Sequence, residues 1–293
     1  MLVRPTPPIA RRPLVQAPDS VQAPPSYRPQ SIKDVPRAIH AWAWVLKALW
    51  TGKEVLLPGH VPPYQRPGAA AIRQATARGE GRTIPQPFNT GDKAGTKPMD
   101  PVNMVVTGSR EALVKALESQ GWVMADKRSV WSYLKTGLSV LTRLFDYAPA
   151  PVTGLYLNGK GEDMAFNKNV DFNHSRDHFR VYHLGRDANG RDRWAIAATR
   201  DTALSLQVHY PKKDGPKLWD WAFKAPYFGH AVDTAIDGER DLVMHDLLAS
   251  GLVKDWALVK GERSVPSHPL PDGRIQIERF QTDGKVYEVS LAS

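Results

Sequence analysis

The sequence predicts an α+β fold, a mainly antiparallel sheet with about three helices, preceded by an extended proline-rich arm. Three observations predict it. Proline is crowded toward the start: 16 of 25 fall before residue 100, and the remaining 193 residues read like an ordinary globular chain. Beyond that point, short extended runs alternate with turns rich in Gly, Asn and Asp, the signature of antiparallel strands. Among them stand three longer stretches with apolar residues at helical spacing. The domain division expected from this falls near Asp100, giving an arm over 1–100 and a globular domain over 101–293.

Charge follows the same partition. Residues 1–100 hold 14 Lys and Arg against six Asp and Glu, or +8 of the formal +9, so the globular part is nearly neutral. A basic arm on a neutral body suits an acidic partner surface or anionic lipid headgroups. Nucleic acid is disfavoured, since no RNP-like, zinc-finger or helix-turn-helix pattern occurs. The chain has no cysteine, which removes disulfides, thiolate nucleophiles and Cys-ligated zinc. The start, Met-Leu-Val-Arg-Pro-Thr-Pro-Pro, has no apolar core of a signal peptide, and no uncharged apolar run approaches the roughly 18 residues of a spanning helix. These readings predict a peripheral membrane or cytoplasmic protein with no transmembrane span of its own.

In chain order, prolines up to about Gln30 predict polyproline II or an extended chain that gains shape on a partner. A helix is expected over about 35–51, with Asp34 to cap it, Pro36 in its first turn and Gly52 to end it. Its tryptophans Trp42, Trp44 and Trp50, with Leu46 and the upstream Arg11 and Arg12, are the candidate partner- or membrane-contacting residues. Covering the domain's own core is the alternative use of that helix face. Residues 53–100 read as a connecting segment with short helical character over Ala69–Ala77.

A β-α-β start follows: a strand over Val102–Val106, a helix over Ser109–Gln120 ended by Gly121, and a strand over Trp122–Met124. A second helix runs from Ser129 to Phe145, with Trp131, Leu134, Leu138, Leu141 and Phe145 on one stripe. Strands are expected at Leu155–Leu157, Asp163–Phe166, Phe179–His183, Arg193–Ala198 and Leu204–His209, with a tight turn at Asp187-Ala-Asn-Gly190. The aromatic stretch Pro211–Phe228 reads as a long loop. Asp237–Ser250 reads as the third helix, closed by Gly251. Ile275–Phe280 and Val286–Leu291 read as a terminal hairpin about Asp283-Gly284.

Ionisable residues concentrate in the tract His230-Ala-Val-Asp-Thr-Ala-Ile-Asp-Gly-Glu-Arg-Asp241. Asp237, Asp241 and His245 recur at four-residue steps, one helix face that suits a divalent metal or a phosphate. An equally physical use is structural, with Asp237 capping and Glu239 and Asp241 answering the positive end of the helix dipole. On a strand through Phe179–His183, His178, Arg180 and Tyr182 share one face, and Thr199-Arg-Asp201 closes the neighbouring strand. The candidate catalytic residues are therefore His178, His230, Asp237 and Asp241, and the candidate phosphate clamps Arg180, Arg200 and Arg240. No metal site and no cofactor is assigned, and no GxSxG, HExxH, Walker or GxGxxG motif occurs.

With Gly154-Leu-Tyr-Leu-Asn-Gly-Lys-Gly-Glu-Asp-Met-Ala-Phe166, Arg176-Asp-His-Phe-Arg180 and Trp194-Ala-Ile-Ala-Ala-Thr-Arg-Asp201, the tract resembles the LssY C-terminal domain family of bacteria over about residues 100–255. That family has no settled activity. Its pattern places paired histidines where this chain has Asp177-His178 and His230-Ala231, and an aspartate where Ala235 stands. The functional expectation is a non-catalytic accessory subunit docking through its arm on a larger, membrane-associated assembly. The alternatives are a membrane-peripheral phosphoester hydrolase, which the resemblance implies through modules fused to lipid phosphatases, and an anionic-lipid-binding peripheral protein.

Overall fold

The computed structural model describes residues 55–142, 147–171, 174–208, 226–263 and 265–292, together with Ala43. The expected helix over 35–51 and its contact residues, Arg11 and Arg12, and most of the aromatic stretch Pro211–Phe228 lie outside the described residues.

In chain order the elements begin with β1 (Val55–Pro58), α1 (Ala69–Gly79), β2 (Thr83–Gln86), β3 (Phe88–Thr90), β4 (Pro98–Pro101), β5 (Met104–Thr107) and α2 (Arg110–Glu118). Then come β6 (Val123–Met124), α3 (Val130–Thr142), β7 (Tyr156–Leu157), β8 (Lys160–Gly161), β9 (Met164–Asp171), β10 (Ser175–Arg186) and β11 (Asp192–Val208). The remainder is β12 (Pro226–Val232), α4 (Asp237–Ala249), β13 (Val253–Arg263), β14 (His268–Pro269), β15 (Ile275–Ile277), β16 (Phe280–Thr282) and β17 (Lys285–Leu291). The fold is α+β with a mostly antiparallel sheet and four helices among the described residues.

The principal sheet runs β2-β13-β17-β5-β11-β10-β9-β6, with β1 and β12 also paired to β11. Only β13–β2 and β17–β5 are parallel. The two short strands expected around Arg193 and Leu204 are one strand, β11, long enough to carry different neighbours at its two ends. Its first half pairs with β5 and β10, its second with β1 and β12. The turn at Asp187–Gly190 joins β10 to β11, and Gly190 there adopts φ +75°, which a side chain would strain.

Several expectations are corrected. The connecting segment at 53–100 contributes β1 and β2 to the principal sheet and β3 and β4 to a smaller one, so it is woven into the fold. Its prolines sit where the ladder tolerates them, at strand ends and short edges. The terminal hairpin is re-paired: β15 pairs with β16, while β17 lies between β13 and β5. The strand β13 was not expected at all. Asp237 does not cap α4; the preceding Ile236 offers no capping side chain, and the Asp237 carboxylate accepts from the Thr282 hydroxyl (2.6 Å) and the Asp283 N–H (2.7 Å).

Burial divides the sheet into two unlike faces. Against one, α2 and α4 place Leu113, Leu117, Leu242, Val243, Met244 and Leu247 over Phe166, Phe179 and Val181. Ser109 starts α2 by accepting the Ala112 N–H (3.1 Å), as its sequence predicts. Trp122 meets Phe179 edge to face and donates its indole N–H to Asp246 (2.8 Å). Gly238 matters here, because a Cβ there would lie 2.3 Å from the Tyr64 ring that packs on the helix start. The other face carries a smaller apolar cluster with Val105, Tyr182, Ala195, Val259 and Val286, and beside it opens a cavity.

Helix α3 lies along that cavity with inverted amphipathicity. Ser132 and Ser139 are buried, while Val130, Trp131, Tyr133, Leu134 and Leu138 are exposed. The expected stripe is present as far as Leu138, and it faces outward.

Candidate functional site

The alternation of β10 builds the site. Arg176, His178 and Arg180 project to one face and Asp177, Phe179 and Val181 to the other. Register with β11 sets Arg176 opposite Asp201, His178 opposite Thr199 and Arg180 opposite Ala197. The last pairing sets an alanine beside the Arg180 guanidinium stem. β12 adds His230 through its pairing with the end of β11. These side chains line a cavity of about 610 Å³, closed at its rim by Tyr133, Thr136 and Gly137 of α3 and by Arg279. A second depression of about 470 Å³, between α1 and β13, has neither histidine nor aspartate in its lining.

Asp201 is the centre of the cavity floor. Its Oδ2 accepts from Arg176 Nε (2.9 Å) and faces His178 Nδ1 at 3.6 Å and His230 Nδ1 at 3.5 Å. The two imidazole contacts exceed hydrogen-bond length. Burial pushes the His178 pKa down to about 3 against the attraction of Asp201, with Arg176 and Arg180 lowering it further. Burial also lowers His230, although its side chain keeps 22% exposure toward the cavity. The Asp201 pKa lies below the ordinary aspartate value: burial opposes its charge, and His230 and His178, once protonated at acid pH, together with Arg176 outweigh that. At neutral pH both imidazoles are uncharged, so Arg176 is the full charge that answers Asp201.

The tautomers follow. A carboxylate accepts only, so each Nδ1 facing Asp201 carries the proton. His178 Nε2 then accepts from the Thr199 hydroxyl at 3.2 Å. His230 Nε2, turned away from Asp201, is left with a lone pair.

A second carboxylate sets the cavity wall. Asp100 accepts from Arg180 at 2.8 Å on one oxygen and from Arg279 at 3.3 Å on the other, and Arg180 Nε donates to the Thr153 carbonyl at 3.0 Å. With Arg176, three guanidiniums stand against two carboxylates. The cavity is cationic by one charge.

Of the residues singled out in the sequence, His178, Arg180 and His230 meet in this cavity. Asp237, Asp241, Arg200 and Arg240 do not join them, because α4 packs on the opposite face. There Arg200 bonds Asp177, lies 3.6 Å from Glu239, stacks 3.5 Å over the Tyr64 ring and donates to the Pro62 carbonyl. Burial, then the nearby Asp177 charge, raises the Glu239 pKa well above the ordinary carboxylate value. Arg240 bonds Asp241 and Asp283, and Asp241 also accepts from the Tyr287 hydroxyl (3.1 Å). His245 stands 3.2 Å from Asp246. Among the described residues no three His, Asp or Glu are grouped to hold a metal ion. The departure Asp177 therefore falls across the sheet from His178 and leaves the cavity's histidine in place.

Thr199 and Asp201 line the cavity beside His178, where the Thr199-Arg-Asp201 motif puts them, whereas Asp100, Arg176 and Arg279 were not among the candidate site residues. The two-residue step from His178 back to Arg176 was available in the sequence. Nothing local marked Asp100 or Arg279, which come from distant chain.

Residues 83–214 match the LssY C-terminus family. The match covers a little under half of the chain and takes in β2 to β11. It begins before the expected span and ends ahead of the His230–Asp241 tract. Within it lie Asp100, Arg176, His178, Arg180 and Asp201; His230 and Arg279 lie beyond it. No curated protein and no solved structure matches the chain.

Proposed function

We propose that this cavity binds a phosphate ester and hydrolyses it, with His230 as general base. One observation carries the reading: two histidines and an arginine converge on the buried Asp201 in a cavity walled by two further arginines. Guanidiniums donate bidentately to phosphate oxygens, and Asp100 fixes two of them at one wall. His230 Nε2 takes a proton from water as its oxygen bonds phosphorus. The ester P–O bond breaks, and the imidazolium returns that proton to the leaving oxygen. Asp201 stabilises the imidazolium between those steps and fixes the tautomer. His178 holds Asp201 from its other side and is a positioning residue.

Binding of inorganic phosphate, read by calorimetry, tests the anion site. Arg180→Ala is expected to weaken it about tenfold or more, the worth of a charge-assisted hydrogen bond. An unchanged affinity contradicts the reading.

Docking of the basic arm on a larger membrane-associated assembly is a second, compatible proposal, supported by the +8 charge confined to residues 1–100. Because residues 55–100 form strands, its test is a pull-down comparing the full chain with one lacking residues 1–50. Equal recovery of stoichiometric partners from both rejects it.

A further inference from the structure

We infer that the ligand of this cavity is an amphiphile, a phosphate head carrying a hydrocarbon tail, taken up from a lipid surface on which α3 lies. The inference rests on the phosphate reading of the cavity and adds the substrate class.

Helix α3 carries the argument. Val130 is 84% exposed, Trp131 72%, Tyr133 55% and Leu134 49%, while the buried side of the same helix holds Ser132 and Ser139. A surface helix ordinarily buries its apolar side and shows its polar one. Here the apolar side is outermost, a contiguous patch of the kind that marks an interaction site. The buried serines are accommodated: Ser132 Oγ accepts the Ser129 N–H (2.9 Å) and donates to the Lys127 carbonyl (3.1 Å).

Two further observations choose a lipid surface as the occupant. First, the strip is continuous with the cavity, since Tyr133, Thr136 and Gly137 of the same helix line the space that holds Arg176, Arg180 and His178. A ligand whose head reaches those arginines leaves its tail along α3. Second, the charges around the helix are complementary to anionic headgroups. The helix has no acidic residue; Lys127 and Arg128 just before it and Lys135 on it are exposed, with Arg279 half-exposed at the cavity rim, and together they outnumber the exposed Asp126. Glu162, the acid paired with Arg128, is itself largely buried. A tryptophan among aliphatics with flanking cations is the composition of an interfacial helix. Among the described residues no helix is long and apolar enough to cross a membrane, so α3 would lie in the plane of the surface.

Flotation of the full chain with vesicles tests this. The probes are phosphatidylcholine vesicles with and without one-tenth phosphatidic acid. Trp131→Glu with Leu134→Glu changes exposed positions, and unaltered thermal melting verifies its fold. The wild type is expected to float with the phosphatidic acid vesicles and the double variant to partition at least about tenfold less. Binding of soluble inorganic phosphate is expected to be equal in both. A wild type that stays in the soluble fraction, or a variant that floats as well, overturns the inference; concentration-dependent self-association relieved by the variant would assign the strip to protein contact instead. The phosphate titration of the wild type keeps the two readings apart. Failure there rejects the cavity as an anion site, whereas failure of flotation alone rejects the lipid source.

Discussion

The two faces of the β10–β11 ladder carry nearly the same residue types and put them to opposite use. Toward α4, Arg200, Asp177 and Glu239 are buried together under the half-buried Tyr64, and Arg240 is enclosed by Asp241, Asp283 and Tyr287. Toward the cavity, Arg176, His178, Arg180 and Asp201 are as deeply buried, yet they border about 610 Å³ of open space and leave His230 Nε2 free of Asp201. Charge density alone does not mark a site. What separates the faces is whether the groups are packed against α4 or border open space.

The largest effect expected on the face packed against α4 is from Arg200→Ala. It strands Asp177 beside a buried Glu239 and removes the guanidinium stacked on Tyr64, so unfolding free energy should fall by about 3–5 kcal/mol in denaturant titration. A loss below about 1 kcal/mol contradicts the structural role given to that network.

On the cavity face the next effect is pH dependence. His178 has a folded pKa of about 3, well below the ordinary histidine value. Between those values the unfolded chain binds the proton and the folded one does not, so stability is full above about pH 6.5 and falls as pH drops from there. The slope for one such group is about 1.4 kcal/mol per pH unit. Asp201, depressed below the ordinary aspartate value, adds a loss of the same sign at still lower pH. Denaturant midpoints at pH 7 and 5 should show the decline, and His178→Gln should flatten it. A stability that rises on acidification would contradict the buried neutral imidazole.

The smallest of these effects is opposite in sign. Burial raises the Glu239 pKa in the folded chain, which means that stability is lost as pH rises above the ordinary carboxylate value. Glu239→Gln keeps the shape without that loss and should match or exceed the wild type at pH 8, by about 1 kcal/mol. A clear destabilisation there would mean that Glu239 is charged.

The same contrast explains what the sequence could reveal. The period-two step through Arg176-Asp-His-Phe-Arg180 sets Arg176, His178 and Arg180 on one face and Phe179 on the other with Asp177, and the fold obeys it. The step does not say which face a distant helix will cover. The grouping of Asp237 and Asp241 with His178 and His230 failed because Phe179 and Val181, being apolar, recruited Leu242, Val243, Met244 and Leu247 of α4 instead. By the same logic the pair Arg200-Asp201 had to split, adjacent strand residues pointing oppositely. The re-pairing of β17 and the presence of β13 were not legible, since Val253–Arg263 mixes Lys, Asp, Gly and Glu among its apolar residues and pairing partners are set by tertiary packing. Asp100, read as a boundary by its neighbouring prolines, holds two cavity arginines from residues 180 and 279. No local pattern encodes a contact between positions so far apart in the chain.

Hydrolysis of a chromogenic aryl phosphate, measured on the wild type beside His230→Ala and Asp241→Asn with folding verified for each, sets the faces against each other. The account predicts turnover by the wild type, a loss of about a hundredfold or more in His230→Ala, and turnover in Asp241→Asn within a few-fold of the wild type. No turnover by the wild type, or a loss in Asp241→Asn while His230→Ala stays active, would contradict it.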